Sequence, residues 1–227
     1  MIMRIINIAI ISICMVVLSC TNHVAFGMCP IKDNVNIKPL TFNFISNQNN
    51  KDTITLGGGC YWCVEAIYEN LIGVESVIAG FSGGKITNPT YREVCMGKTG
   101  HAEVIQIVFN RKKISIEEIL KVFFTVHDPT TYNRQGADEG EQYRSVIFYR
   151  NKEQCLTAKR IVNELNKQKV YDKPVVTQVL PFEHFYAAEE EHQNYYQRNK
   201  EKPYCKMVIQ PKLDKFEKIF KNKIKKQ

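Results

Sequence analysis

The chain has 227 residues, of which 44% are apolar and 24% are charged, proportions typical of a globular protein with a packed core. The formal net charge is +8, and much of it lies in residues 212–227, which hold seven Lys and two acidic residues. Because no basic stripe is interleaved with aromatic side chains elsewhere, the composition argues against nucleic-acid binding.

The first 20 residues predict an export signal. Arg4 precedes an almost unbroken apolar run from Ile5 to Leu18, which is shorter than the roughly 20 residues of a membrane-spanning helix. The sequence Val17-Leu18-Ser19-Cys20 at its end resembles a bacterial lipoprotein cleavage site, with Cys20 as the residue to be lipidated. An ordinary signal peptide, or a short anchor that contains a Cys, is the alternative.

Residues 21–50 are rich in Asn and show no hydrophobic period, so a linker between membrane and domain is predicted. Signal and linker together predict an exported lipoprotein that is anchored in the membrane through Cys20 and faces the periplasm or the cell exterior. The main folded domain is predicted to span residues 51–211.

Within residues 51–211 the hydrophobic periodicity predicts alternating strands and helices. The predicted strands are Thr53–Leu56, Val74–Phe81, Glu103–Phe109, Tyr143–Tyr149 and Val175–Leu180. The predicted helices are Tyr61–Leu71, a helix from a capping box at Ser115 and Glu118 to about His127, Lys152–Lys167, and a helical segment Glu189–Tyr196. The order β-α-β-β-α-β predicts an α+β fold, a ferredoxin-like split βαβ sandwich of two layers.

Residues 212–227 carry apolar side chains at helical spacing, namely Leu213, Phe216, Ile219, Phe220 and Ile224. This pattern predicts a basic C-terminal helix that docks on the domain by one face. The fold therefore gains an extra C-terminal segment beyond the two-layer sandwich.

The eight cysteines are distributed unevenly. Five of them follow residue 51, and the set is Cys60, Cys63, Cys95, Cys155 and Cys205. An odd number with one C-x-x-C pair favours redox chemistry over a disulfide framework. Cys95 is predicted to be a small buried side chain, and Cys155 to be inert on the apolar stripe of a core helix.

The most informative stretch is Gly57-Gly58-Gly59-Cys60-Tyr61-Trp62-Cys63. The glycines end a strand and permit a sharp turn, so Cys60 is predicted to lie at the N-terminus of a helix. There the unpaired N–H groups and the helix dipole are expected to lower the pKa of the thiol. Tyr61 and Trp62 are expected to form an apolar wall beside the sulfur.

Two other interpretations of the C-x-x-C pair remain open at this point. The first is a general thiol–disulfide oxidoreductase that uses Cys60 and Cys63 alone. The second is a structural zinc module with Cys60, Cys63 and Cys205 as ligands, although no fourth ligand occurs at short spacing.

An ordered set of motifs resembles the A-class peptide methionine sulfoxide reductases over residues 53–216. The motifs are Gly59-Cys60-Tyr61-Trp62, Gly80-Phe81-Ser82-Gly83-Gly84, Asn88-Pro89-Thr90-Tyr91, Val94-Cys95, Gly100-His101-Ala102-Glu103-Val104, His127-Asp128-Pro129-Thr130-Thr131, Asn133-Arg134-Gln135-Gly136, Gln142-Tyr143-Arg144-Ser145, Glu191-His192-Gln193 and Pro203-Tyr204-Cys205. The sequence departs from the usual family pattern at three positions, with Tyr61 in place of Phe, Phe81 in place of Tyr, and Cys63 where many members have Gly.

The resemblance implies a nucleophile, an acid and a recycling thiol. It gives Cys60 as the thiol that attacks the sulfoxide sulfur and Glu103 as the acid that protonates the oxygen. An apolar surround is expected to raise the pKa of Glu103 towards neutrality. Cys205 is implied as the resolving cysteine, with thioredoxin as the electron donor, while Cys63 leaves this assignment open because it lies one helical turn from Cys60.

The resemblance also implies the substrate contacts. Tyr91 and Tyr143 are expected to hydrogen-bond the sulfoxide oxygen, and Asp138 to line the same pocket. Trp62, Tyr61 and Tyr195 are expected to bind the rest of the oxidised methionine, which is either free or part of a protein. No metal or cofactor is expected, since His101, His127, His184 and His192 lack metal-ligand spacing. Resemblance to the A class predicts the S epimer as substrate.

Overall fold

The computed structural model describes residues 50–225. The strands are β1 (Lys51–Gly58), β2 (Val74–Ser82), β3 (Ala102–Asn110), β4 (Arg134–Gln135), β5 (Asp138–Glu139), β6 (Ser145–Tyr149), β7 (Gln178–Pro181) and β8 (Phe185–Ala187). The helices are α1 (Tyr61–Glu69), α2 (Tyr91–Cys95), α3 (Ile116–Val126), α4 (Lys152–Lys167), α5 (Tyr195–Arg198) and α6 (Gln210–Ile219), and a π-helical turn, Cys205–Ile209, precedes α6.

A six-stranded sheet with the order β7-β6-β1-β3-β2-β8 organises this mixed α/β fold. The pairs among β6, β1, β3, β2 and β8 are antiparallel, and β7 joins β6 in parallel. β4 and β5 form a separate hairpin. The antiparallel arrangement brings the end of β1 next to the start of β3, because Leu56 pairs with Ile105.

The core lies between the sheet and the helices. Ile54 and Leu56 of β1 and Tyr68 of α1 are fully buried, as is Phe123 of α3. The capping box that the sequence predicted is confirmed, since the Ser115 side chain accepts a hydrogen bond from the N–H of Glu118 and the Glu118 carboxylate accepts one from the N–H of Ser115.

Several predicted elements have different bounds in the structure. The predicted helix at Glu189–Tyr196 is wrong: a 3₁₀ turn covers Glu190–His192 and α5 begins only at Tyr195, because Asn194 has a φ of +50° that interrupts helical geometry. The last predicted strand, Val175–Leu180, is only partly correct, since β7 begins at Gln178.

The C-terminal helix packs against α1 and α3. Leu213 and Phe216 are buried as the predicted helical face requires, but α6 ends at Ile219, whose side chain is exposed. No helix within residues 50–225 combines the length and the apolar character that crossing a membrane requires. Cys20 and the predicted signal and linker lie outside the described residues, apart from Asn50.

The prediction that Cys95 is buried is wrong. Its side chain is exposed because α2 is a five-residue helix on the surface, and Val94 is its buried residue. Cys155 lies buried on α4, as predicted.

Candidate active site

Cys60 occupies the sharp turn between β1 and α1. Gly59 has a φ of +88°, and a Cβ at this position would lie 2.5 Å from Cγ of Gln135, so glycine is required for both reasons. Cys60 then forms the N-cap of α1, and its side chain is only 5% exposed. The predicted position of Cys60 at a helix start is therefore confirmed.

Glu103 approaches the same helix start from β3. Its Oε2 atom accepts a hydrogen bond from the backbone N–H of Tyr61 at 3.1 Å, and both residues are buried. Burial raises the pKa of Glu103 to about 8, opposed by the Tyr61 hydrogen bond and assisted by the charges of Asp138 and Cys63. The carboxyl group is therefore protonated at neutral pH and available as a proton donor.

The prediction that the pKa of Cys60 is lowered is wrong. Burial, the hydrogen bond with Cys63 and the charge of Glu103 raise it well above the ordinary value of a thiol. The N–H of Tyr61, the first of the helix, is already engaged by Glu103. The resting nucleophile is therefore a buried thiol that keeps its proton.

Cys63, one turn further along α1, is the more acidic of the two thiols. The hydrogen bond from Cys60 lowers its pKa to about 7 against the effect of burial, and the charge of Lys212 on α6 acts in the same direction. The Tyr204 hydroxyl lies 3.9 Å from Sγ of Cys63 and donates a 3.0 Å hydrogen bond to Oδ2 of Asp138. Tyr204 thus links the C-x-x-C pair to Asp138.

An aromatic cluster lies beside the two thiols. The rings of Trp62 and Tyr195 stack almost in parallel, with 3.7 Å between centroids and 7° between planes. The ring of Tyr91 lies 4.3 Å from that of His192 and 6.4 Å from that of Tyr61. The predicted aromatic wall is thus extended by Tyr91 of α2, by His192 and by Tyr195, the first residue of α5.

Tyr91 and Tyr143 are half-buried, and the charge of Glu103 contributes to raising the pKa of both side chains. Burial raises the pKa of Tyr91, as do Cys95 and Glu103. Burial likewise raises the pKa of Tyr143, as do Glu103 and Cys60. Both phenols therefore keep their protons over the physiological range and can donate hydrogen bonds.

Three buried polar atoms of the cluster make no hydrogen bond within the described residues, namely Oη of Tyr61, Nε1 of Trp62 and Nδ1 of His192. An unpaired buried polar group costs free energy, so these three atoms depart from the usual pairing of buried polar groups. A groove of about 480 Å³ opens beside Trp62, and its lining includes His192, Tyr195, Arg198 and Lys202.

Cys205 is fully buried in the π-helical turn before α6, and its thiol is free. Within residues 50–225 no group of three or more His, Cys, Asp or Glu side chains is arranged to hold a metal ion. The zinc interpretation of Cys60, Cys63 and Cys205 therefore has no site in this part of the chain.

Comparison with known proteins assigns the family. Residues 52–224 match the family model of peptide methionine sulfoxide reductases. The chain belongs to this family. It is 52% identical over 174 residues to the peptide methionine sulfoxide reductase of Saccharolobus solfataricus, a match that covers 77% of this chain and 97% of the relative.

Solved structures of peptide methionine sulfoxide reductases agree with this assignment. Methionine sulfoxide reductase A of Corynebacterium diphtheriae is 34% identical with a TM-score of 0.63, over 67% of this chain and 77% of that one. The reduced form of Mxr1 from Saccharomyces cerevisiae is 32% identical with a TM-score of 0.63, over 68% of this chain and 89% of that one.

The family resemblance predicted a set of site residues, and the structure brings most of them together. Each of these residues contacts another member of the set or changes the pKa of one. They are Cys60, Tyr61, Trp62, Cys63, Tyr91, Glu103, Asp138, Tyr143 and Tyr195, and their individual roles stay predictions. Sequence reasoning assigned no role to Tyr204, although it directly precedes Cys205 within a family motif. It also assigned none to Glu65, although a carboxyl on the buried face of a helix is unusual.

Proposed function

We propose that this protein reduces the (S)-S-oxide of methionine, free or in proteins, to methionine with thiols as the source of electrons. The observation that carries the proposal is the buried Glu103 carboxyl, hydrogen-bonded at the first residue after Cys60. A sulfoxide is a poor electrophile until its oxygen is protonated or strongly hydrogen-bonded. The reaction needs a thiol nucleophile and a proton donor at one place, and this site holds both.

In the first step Cys60 attacks the sulfoxide sulfur and Glu103 gives its proton to the sulfoxide oxygen. A bond forms between the Cys60 sulfur and the methionine sulfur, and the hydroxyl group then moves from the methionine sulfur to the Cys60 sulfur. The sulfur–oxygen and sulfur–sulfur bonds to methionine break, methionine leaves with its sulfur reduced, and Cys60 is oxidised to a sulfenic acid. The proton of the Cys60 thiol replaces the one that Glu103 has given. The raised pKa of Cys60 suits this step, because the thiol loses its proton only as the sulfoxide oxygen gains one.

Substrate recognition follows from the aromatic cluster. Tyr91 and Tyr143 donate hydrogen bonds to the sulfoxide oxygen, while Tyr61, Trp62 and Tyr195 surround the apolar end of the oxidised methionine. Asp138 is bound to Tyr204 and adds negative charge near Glu103, which helps to keep the acid protonated.

Cys63 is the first thiol to resolve the sulfenic acid, and Cys205 is the second. The Cys63 thiolate attacks the sulfur of the Cys60 sulfenic acid, a sulfur–sulfur bond forms, and hydroxide leaves as water after gaining a proton. Sequence comparison favoured Cys205 for this step. The lower pKa of Cys63, and its position one turn along α1 from Cys60, support the opposite order.

Cys205 then attacks the Cys63 sulfur of the Cys60–Cys63 disulfide, so a Cys63–Cys205 disulfide forms and Cys60 leaves as a thiolate that regains its proton. Burial raises the pKa of Cys205, and the charge of Cys63 adds a smaller contribution in the same direction. A thioredoxin-like dithiol completes the cycle by thiol–disulfide exchange. The cycle requires neither a metal nor a cofactor.

Turnover of separated sulfoxide epimers tests the proposal. The protein is incubated with the S or the R epimer of a methionine sulfoxide peptide and with dithiothreitol. Reduction of the S epimer alone is expected, because each class of reductase takes one epimer. Turnover of the R epimer alone, or of neither, would contradict the proposal.

A general thiol–disulfide oxidoreductase is the second candidate, and the low pKa of Cys63 in a C-x-x-C pair favours it. It leaves Glu103, Tyr91 and Tyr143 without roles. Reduction of insulin disulfides without any reduction of methionine sulfoxide would identify this activity.

We further propose that the core of the fold is ferredoxin-like. The central strands follow the order β6-β1-β3-β2 and pair antiparallel, and α1 and α3 lie in the two crossover connections. This pattern supports a ferredoxin-like split βαβ core. β7 and β8 extend it at the two edges.

We also propose the domain organisation and localisation that the sequence predicts. Residues 1–20 direct export and end at Cys20, which is lipidated. Residues 21–50 link the membrane anchor to the reductase domain, residues 51–211, and residues 212–227 form a basic tail. The support is the apolar run before Val17-Leu18-Ser19-Cys20.

A further inference from the structure

Glu65 places a carboxyl group on the buried face of α1. Its side chain is 1% exposed, and the same helix face carries Tyr61, Val64 and Tyr68. Burial raises the pKa of Glu65 to about 7, against the hydrogen bonds that it accepts. A carboxyl at such a place costs free energy unless its oxygens are bound, so its partners indicate its purpose.

The partners of Glu65 are backbone amides at the start of α5. Its Oε1 atom accepts a hydrogen bond from the N–H of Asn194 at 2.9 Å, and its Oε2 atom one from the N–H of Tyr195 at 3.3 Å. The first N–H groups of a helix have no partner within the helix. Asn194 has a φ of +50°, so Glu65 also holds a backbone conformation that Asn adopts at a cost.

Fixing these amides fixes the ring of Tyr195. That ring stacks on Trp62 with 3.7 Å between centroids. Trp62 and Glu65 are three residues apart on α1 and are therefore neighbours on the helix surface. α1 therefore contacts the start of α5 at two adjacent points. Glu65 binds the backbone of Asn194 and Tyr195, and Trp62 stacks on the ring of Tyr195.

The residue before Asn194 is anchored separately. The side chain of Gln193 accepts a hydrogen bond from the N–H of Ala79 at 2.9 Å and donates to the carbonyl oxygens of Ala79 and Ala188. Gln193 therefore ties this loop to β2 and to Ala188, the residue after β8, whereas Glu65 ties the start of α5 to α1. Loss of Glu65 alone should leave the loop attached and change only the placement of Tyr195.

We infer that Glu65 is a positioning residue, which fixes Tyr195 against Trp62 and thereby sets the aromatic wall of the substrate pocket. The inference rests on the proposed function, in which that wall contacts the oxidised methionine. Glu65 itself contacts neither the substrate nor the reacting sulfur in this account. It acts through Tyr195.

Glu65→Gln tests this inference with little change in shape. A glutamine offers one acceptor oxygen, and its NH₂ group would face the other backbone N–H, so one of the two hydrogen bonds is lost. Glu69→Gln is the matched control, because Glu69 lies one turn further on α1 and has its charged partner in Lys225. Glu65→Asp keeps the charge but withdraws the oxygens by one methylene, and it serves if Glu65→Gln fails to fold by circular dichroism.

Fluorescence of the resting protein is the first readout. Trp62 is the only tryptophan in the chain, so its emission reports directly on the stack with Tyr195. We expect Glu65→Gln, or Glu65→Asp, to shift the emission in the same direction as Tyr195→Ala, and Glu69→Gln to match the wild type. An unchanged spectrum in the folded Glu65 variant would overturn the inference. This measurement needs no substrate and is informative even if the proposed function fails.

Steady-state kinetics with the S epimer are the second readout. We expect KM to rise about two- to tenfold, the range of an aromatic pair, with kcat nearly unchanged. In a Tyr195→Ala background Glu65→Gln should have no further effect on KM. An additive effect, or a loss of kcat at constant KM, would show that Glu65 acts by another route. Absence of turnover in the wild type would instead contradict the proposed function.

Discussion

The carboxyl group of Glu103 accepts a hydrogen bond from the backbone N–H of Tyr61, the residue that follows Cys60. This contact joins the start of β3 to the start of α1 and links the proposed acid to the helix start that carries the proposed nucleophile. This hydrogen bond positions the proposed acid beside the helix start, whereas the Cys60 thiol keeps its proton chiefly because it is buried.

Removing the acidic proton of Glu103 should slow the reductive step. Glu103→Gln keeps the size of the side chain but cannot donate an acidic proton, and general acid catalysis is worth about 10²–10⁴-fold. Single-turnover release of methionine should therefore slow by at least about 10², while alkylation of Cys60 by a small reagent continues. Glu164→Gln on the exposed face of α4 is the control. A wild-type rate in Glu103→Gln would exclude the general-acid role.

The reductive step should lose rate at alkaline pH. Glu103 has a pKa of about 8 in the folded protein because it is buried, and the protonated form, present below that value, is the active one. The single-turnover rate should fall as pH rises through about 8. Because an unfolded Glu titrates at about 4.3, this group also lowers the free energy of unfolding as pH rises between the two values. Absence of the alkaline limb would contradict the assignment.

The variants Cys63→Ser and Cys205→Ser should show which of the two thiols resolves the Cys60 sulfenic acid first. If Cys63 acts first, Cys63→Ser releases methionine at the wild-type single-turnover rate but leaves a sulfenic acid on Cys60, which dimedone labels. Cys205→Ser should instead accumulate a Cys60–Cys63 disulfide, visible by peptide mapping. A dominant Cys60–Cys205 disulfide in Cys63-containing protein would restore the order that the sequence favoured.

Lys212 should accelerate the resolving step. Its charge lowers the pKa of Cys63, so Lys212→Met should slow disulfide formation at pH 7 several-fold, and the difference should vanish at alkaline pH, where Cys63 is a thiolate in both proteins. Methionine release in a single turnover should not change. Lys218→Met, on the same helix with no role in the site, is the control. Equal slowing of both variants would point to a general effect of charge.

Export as a lipoprotein has a direct chemical signature. Mass spectrometry of the mature N-terminus should find a diacylglyceryl group on Cys20 after cleavage behind Ser19. The matched control is Cys20→Ala, which should abolish the modification. Recovery of the protein with an intact Met1 from the cytoplasm would contradict the prediction.

The sequence predicted the turn that carries Cys60 because its cause is local. Gly59 needs a positive φ, and the helix pattern begins directly after Cys60. The capping box at Ser115 and Glu118 is local in the same sense. Each feature involves residues within a few positions of one another.

The electrostatics of the site depend on contacts that are distant in sequence. The pKa of Cys60 is raised by burial and by neighbours that include Glu103 on another strand. The break at Asn194 replaced a predicted helix, because Glu65, 129 positions earlier, binds the amide at that point. Hydrophobic periodicity carries no information about either contact.

Single turnover of the S epimer by the reduced protein, without added reductant, tests the central claim most directly. The wild type should release methionine, and Cys60→Ser should release none while its circular dichroism spectrum stays that of the wild type. Methionine release by Cys60→Ser at a rate near the wild type would contradict the account, because the nucleophile would then lie elsewhere.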